Sequence, residues 1–192
     1  YERAIAFCNT KNMTDRLAGL LKMRGITCEA IHGDIQQRVR EQTLKKFKDG
    51  KLRVLVATDV AARGLDIDDV DAVFNYDVPD EQEYYIHRIG RTGRAKKHGV
   101  AYTLVASVTE SIKMRDIARN TKADIQLLRY DKDGCLMLVE QQKISAKHRK
   151  NPSFSHEKGG FFHTVFTSFP WSRSRRPHAG CRPARRSPRT GR

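Results

Sequence analysis

The segment YYIHRIGRTGRAKKHG, Tyr84 to Gly99, gathers the cations Arg88, Arg91, Arg94, Lys96 and Lys97, together with His87, around Gly90 and Gly93. Charge at that density calls for a polyanion. Arg91 and Arg94 lie three positions apart. In a loop or a first helical turn, that spacing aims two guanidinium forks at one phosphate group, and the glycines keep Cβ atoms out of the way. The chemistry open to such a pair is neutralisation of phosphate oxygens during phosphoryl transfer. Other chemistry-bearing residues cluster at the ends of apolar runs. IAFCNTK ends in Asn9, Thr10 and Lys11; EAIHGDIQQRVR brings His32, Gly33 and Asp34; VLVATDVAARGLD brings Thr58, Asp59, Arg63, Gly64 and Asp66. Gln37 and Arg40 are three apart on a helix face and can offer an amide and a guanidinium to adjacent phosphates.

The elements that must position these residues follow from apolar periodicity. RAIAFC reads as a strand; Thr10 caps a helix with Met13, Leu17, Leu20 and Leu21 on its inner face, and Gly25 stops it. TCEAIH is the next strand, and Gln36 to Lys48 is a helix with Val39, Leu44 and Phe47 inward, ending at Gly50. RVLVAT reads as a fully buried strand and DAVFNY as another. Pro79 opens a helix over about Asp80 to Arg88, VAYTLV is a strand, and a helix runs near Thr109 to Asn120. Alternation of this kind predicts an α/β domain with a mainly parallel sheet, helices on both faces and ligand sites at the carboxyl ends of the strands.

The chain has 192 residues, room for one well-cored domain and an extension but not for two ordinary domains. Its 37 Lys and Arg against 22 acids leave a net +15, which points to nucleic acid, a nucleotide or an anionic surface. Twelve of those cations and a single acid, Glu157, fall between Ser145 and Arg192, so the remainder of the chain is only mildly basic. The expected organisation is a domain over 1–125, an extension over 126–144 and a basic, disordered tail over 145–192. Cys8, Cys28, Cys135 and Cys181 form no CxxC pair, and the histidines form no ligand spacing, so no metal site and no disulfide framework is signalled. A reduced, cytoplasmic compartment is expected, with Cys8 and Cys28 as core residues. No apolar run approaches the roughly 20 residues of a membrane span, and none is expected to insert. The start at Tyr1, without methionine and straight into an apolar strand, suggests a piece of a longer protein.

FCNT, HGDIQQRVR, VATDVAARGLD and HRIGRTGR stand in the order and approximate spacing of the motifs in the second RecA-like domain of DEAD-box RNA helicases. The chain resembles that family over roughly Ala4 to Asp124, and the wording of VDAVFNYDVPDEQEYYIHRIGRTGR leans toward bacterial-type members. The resemblance implies that Arg91 and Arg94 are arginine fingers and that Asp66, after the Gly64 turn, accepts from the ribose of ATP. It implies that His87 and Arg88 couple the nucleotide site to the opposite domain, and that Thr10, Gly33, Gln37, Arg40, Thr58 and Gly64 contact an RNA backbone. Alternatives stand beside these roles: an ion pair from Arg88 to Glu83 or Asp80 on its own helix, and plain helix caps for Thr10, Thr58 and Asp59.

No GxxxxGK[ST] loop occurs; DGKL lacks the earlier glycine and has Leu52 where a magnesium-binding hydroxyl belongs. Asp80 and Glu81 follow Pro79 at an expected helix start, where acids suit the dipole. ATP and Mg2+ are therefore expected to be held mainly by a first RecA-like domain of the same protein, with single-stranded or duplex RNA across the cleft, recognised through its backbone. Two other classes remain open: a related motor half acting on DNA, and a stand-alone RNA-binding or RNA-chaperone module without an ATP cycle. The tail, with GGFFHTVFTSFPWS between basic stretches, reads as a sequence-independent RNA binder, a shifted reading frame after about Gly160, or a protein-docking element.

Overall fold

A computed structural model describes residues 1–93, 99–121, 125–130, 136–138 and 163–168. In chain order the elements are β1 (Ala4–Cys8), α1 (Lys11–Met23), β2 (Cys28–Ile31), α2 (Gln37–Lys48), β3 (Val54–Thr58), α3 (Asp59–Ala62), β4 (Ala72–Asn75), α4 (Gln82–Ile89), β5 (Val100–Val105), α5 (Val108–Thr121), β6 (Ile125–Tyr130), β7 (Leu136–Leu138) and β8 (His163–Ser168). They build one sheet in the order β2-β3-β1-β4-β5-β8-β6-β7. The first five strands are parallel, with Ile5 opposite Leu55 on one side and Val73 on the other. Parallel pairing needs crossover helices, and those helices cover the two faces.

Alternate side chains of each strand go to opposite cores. Ile5, Phe7, Leu55, Ala57, Val73, Ala101 and Val105 pack with Phe47 of α2, Tyr85 and Ile89 of α4, and Met114 and Ile117 of α5. Ala6, Cys8, Cys28 and Val56 face the other way and meet Leu17 and Ala18 of α1. Cys8 and Cys28 are free and buried. Across β4 and β5, Asn75 Nδ2 donates to Thr103 Oγ1 at 2.9 Å, while the buried Asn75 Oδ1 accepts no hydrogen bond among the described residues. None of the described helices is long and apolar enough to cross a membrane.

Four expectations are corrected. Leu20 and Val39 are 43% and 45% exposed. The buried stripe of α1 runs through Thr14, Leu17 and Ala18, leaving Leu20 at its edge. In α2 the buried positions are Thr43 and Phe47, and Val39 lies a turn before the part that packs on the core. The fourth helix begins at Gln82, not Asp80, with Glu81 as its cap residue, so Pro79 stays in the preceding loop. Within the expected disordered tail, residues 163–168 form β8, antiparallel to both β5 and β6. HTVFTS is rich in β-branched residues, which suit a pleated surface, and it satisfies backbone groups that β5 and β6 would otherwise leave at an edge. The rest of 145–192 lies outside the described residues.

Candidate functional site

Because β1, β3 and β4 run parallel, their carboxyl ends open onto one edge of the sheet, and the motif residues follow directly. Arg88, in the last turn of α4, is the centre of that edge. Its side chain is 1% exposed. Nε donates to Asp59 Oδ1 at 2.7 Å and Nη2 to Asp59 Oδ2 at 2.6 Å, a bidentate pair. Nη1 donates to the Asp77 carbonyl at 2.8 Å and Nη2 also to Asn9 Oδ1 at 2.7 Å. The guanidinium lies 5.4 Å from the centre of the Phe7 ring. Arg88 therefore ties the ends of β1, β3 and β4 together, and the ion pair considered with Glu83 or Asp80 does not form. Asp80 pairs instead with Lys113 at 2.9 Å, and Glu83 lies 3.9 Å from His87 Nε2.

The segment after β3 receives two more arginines. Thr58 caps α3, its Oγ1 accepting from the Ala61 amide at 3.4 Å, so the cap alternative describes its geometry. Arg40 Nη2 donates to the Ala61 carbonyl. Arg91 Nη1 donates to the Leu65 carbonyl at 3.0 Å and lies 3.5 Å from both the Ile67 carbonyl and Asp68 Oδ1, while Nη2 lies 3.4 Å from the Ala62 carbonyl. Those oxygens bracket residue 66 on both sides. The turn itself depends on Gly64, whose φ of +78° is one that side chains bearing a Cβ rarely adopt. Below Arg91, Thr92 Oγ1 donates to the Val70 carbonyl and a parallel bridge joins Val70 to Thr92, fixing the turn that carries Arg91 to the loop before β4.

Between these elements lies a cleft of about 200 Å3 lined by Phe7, Asp59, Arg63, Tyr84, His87 and Arg91, among others. Arg63 stacks on Tyr84 at 5.4 Å, and the His87 side chain is half-exposed at the cleft wall. With Asp59 neutralised by Arg88, the other cations lining the cleft are Arg63 and the carbonyl-held Arg91, with His87 beside them, which suits an anion. Asp66 is exposed, and its Oδ2 accepts from Lys48 Nζ at 2.8 Å. That hydrogen bond holds its carboxyl below the usual carboxylate range. Among the described residues, no group of three or more His, Cys, Asp or Glu side chains is placed to hold a metal ion.

The remaining candidates form a second group. Thr10 caps α1, accepting from the Met13 amide at 3.2 Å. Lys11 reaches across to Asp34, Nζ to Oδ1 at 2.5 Å, and this bond lowers the Asp34 pKa. A Cβ on Gly33 would stand 3.6 Å from Lys11 Cε. Gln37 is exposed at the start of α2, its Nε2 donating to Glu41 Oε1 at 2.8 Å. Arg94 lies outside the described residues. Three pairings were not foreseen: the Asn9 carboxamide, whose Nδ2 donates to the Val78 carbonyl at 2.9 Å while its oxygen receives Arg88; Arg63 on Tyr84; and Lys48 on Asp66. Asn9 was visible only as a polar residue at a strand end.

The helicase conserved C-terminal domain matches residues 1–96. The ATP-dependent RNA helicase CshA of Listeria monocytogenes is 53% identical over 127 residues, which cover 66% of this chain and 24% of that protein. A DEAD box protein from the hyperthermophile Methanococcus jannaschii superposes with a TM-score of 0.59 at 45% identity, covering 62% of this chain and 33% of the other. The Escherichia coli DEAD-box protein SrmB, solved bound to the regulator of ribonuclease activity A, gives 0.58 at 40% identity over 62% of this chain and 69% of the other. The chain spans about a quarter of the length of the curated relatives it matches. With its RecA-like sheet and its motifs gathered at one sheet edge, the chain belongs to the helicase conserved C-terminal domain family, and it groups there with the C-terminal domains of bacterial DEAD-box proteins.

Proposed function

We propose that this chain is the second-domain half of an ATP-dependent RNA helicase. Arg91 and Arg94 act as arginine fingers on the terminal phosphate of ATP, and Asp66, presented by the Gly64 turn, accepts from the ribose. The observation that carries the reading is the placement of Arg91, whose guanidinium lies against the carbonyls on both sides of Asp66 at the mouth of a cationic cleft. A finger just after α4, held against a ribose contact in the segment that follows α3, can engage the two ends of one nucleotide. To reach a phosphate, Arg91 exchanges carbonyl oxygens for phosphate oxygens, a trade toward stronger, charge-assisted bonds.

Closure of a first RecA-like domain onto this edge brings ATP to the fingers. That first domain holds ATP and Mg2+; among the described residues of this chain no group of three or more His, Cys, Asp or Glu is placed to hold a metal ion. Arg88 is a positioning residue: buried, it sets Asp59 and with it the start of the 58–68 segment, while half-exposed His87 faces the cleft. Thr10, Gly33, Gln37, Arg40, Thr58 and Gly64 form this half of a groove that reads RNA through its backbone, so binding is independent of sequence. Arg40 contributes there mainly by holding the Ala61 carbonyl, with its remaining N–H donors free to turn to phosphate. By itself the chain does not hydrolyse ATP.

The test joins this chain to a DEAD-box first domain and measures RNA-stimulated ATP hydrolysis for the unmodified fusion and for Arg91→Ala and Arg94→Ala. Each substitution is expected to lower kcat by about a thousandfold or more, the scale of a finger contact, with single-stranded RNA binding retained. Turnover indifferent to both arginines sinks the helicase reading and favours an RNA-binding module without an ATP cycle.

A further inference from the structure

Lys48 ends α2, eighteen residues before Asp66, and its ammonium is the one side chain recorded against the Asp66 carboxylate among the described residues. The two side chains are 50% and 91% exposed. An ion pair so open to water contributes little to folding and is readily screened. Its geometry is better matched to another task. Lys48 occupies Oδ2 and leaves Oδ1 uncovered, and a carboxylate offers about four acceptor sites in all. One lysine hydrogen bond thus favours one rotamer of Asp66 while leaving room for two hydroxyl donors.

We infer that Lys48 is a positioning residue for nucleotide recognition, orienting Asp66 so that its free oxygen faces the adjacent ribose hydroxyls. The inference rests on the reading of Asp66 as the ribose contact. Arg91 and Lys48 divide the work of holding the segment around Asp66. Arg91 holds the backbone on both sides of Asp66 only while it donates to the Leu65 and Ile67 carbonyls. When Arg91 turns to phosphate, that hold is released, and Lys48, anchored on a separate helix, keeps the carboxylate aimed. Without Lys48, the exposed Asp66 side chain must be ordered by the nucleotide itself. Ordering a side chain of that kind weakens binding by about threefold to tenfold.

The full chain, joined to a DEAD-box first domain, is compared as Lys48→Met, Lys48→Arg and Asp66→Asn with ATP and 2′,3′-dideoxy-ATP. Lys48→Met is expected to raise KM for ATP by about threefold to tenfold, with kcat and the KM for the dideoxy nucleotide unchanged, and Lys48→Arg to restore the preference. Calorimetric binding of ADP and 2′,3′-dideoxy-ADP reads the same ratio without turnover. An unchanged ratio in Lys48→Met beside a collapsed ratio in Asp66→Asn overturns the role of Lys48 alone. An unchanged ratio in Asp66→Asn overturns the ribose reading, and the role of Lys48 with it.

Discussion

Replacing Arg88 by methionine keeps an unbranched stem of similar length beside Phe7 and removes the guanidinium. Four short donations disappear, two to Asp59 and one each to Asn9 and the Asp77 carbonyl. Asp59 is left 17% exposed with no cation against it. Breaking a buried pair by removing one partner costs about 3–5 kcal/mol, and each neutral acceptor left without its donor adds on the order of 1 kcal/mol wherever water cannot reach it. Partial access of water to Asp59 keeps the total near the middle of that range, about 4 kcal/mol. Against a typical domain stability of roughly 5–15 kcal/mol this is a large fraction. It corresponds to a fall in Tm on the order of 15 °C, or a urea midpoint lower by about 2 M. Asp59→Asn should cost at least as much, since it strands a guanidinium that is 1% exposed. Arg88→Met combined with Asp59→Leu removes both charges and should recover at least about 2 kcal/mol relative to the sum of the single changes. The assay is urea unfolding followed by far-ultraviolet circular dichroism. A loss under about 1 kcal/mol for Arg88→Met, or strict additivity in the double variant, would refute the account of Arg88 as the tie across three strand ends.

Two other outcomes follow from protonation equilibria. Burial, with the nearby Asp77 carboxylate adding to it, pushes the Cys8 thiol up to about 12. The folded chain should leave Cys8 unreactive toward an aromatic disulfide reagent at pH 8 and release it only on unfolding; rapid labelling under native conditions contradicts this. Asp71 accepts from the amides of Arg3 and Glu2, at 3.0 and 2.8 Å, and these bonds lower its pKa, the Arg3 amide most. A carboxyl with a depressed folded value stabilises fully above its unfolded value, near 3.9, and that contribution is lost as pH falls through the folded value. Carbon-detected titration should place the Asp71 inflection below the unfolded value, with the Glu2 and Arg3 amide signals moving together with it. An inflection at or above the unfolded value removes Asp71 as an anchor of the N-terminal segment.

The regular part of the fold was legible because its signal is local. Runs such as AIAFC and VLVAT, short, apolar and set between turn residues, read as buried central strands, and their carboxyl ends carry the polar residues that gather into the site. Arg91 and Asp66 could be named from their motifs, yet their relation could not: a donation from Arg91 to the carbonyls flanking Asp66 joins residues 24 and 26 positions apart. Arg88 is the clearest case. Helical spacing directs attention to partners three or four residues away, whereas the partner chosen is Asp59, at the end of a different strand, because burial demands the carboxylate with the best bidentate approach. Arg40 likewise turns toward a backbone carbonyl that no periodicity foretells. The strand at His163–Ser168 escaped notice since composition around it is basic and irregular, while its pairing partners lie far back in the chain.

The carbonyl cage around Arg91 also bears on which anions the free domain ignores. A guanidinium facing open solvent would take up chloride, free phosphate or any passing polyanion. Here a newcomer must displace several oxygens arranged around one planar fork. A small monovalent ion replaces one of them and leaves the others in place, whereas a phosphate presented at a fixed angle, as the proposed function requires, replaces them together. The cage thereby acts as a filter on ligand shape, set before any nucleotide arrives.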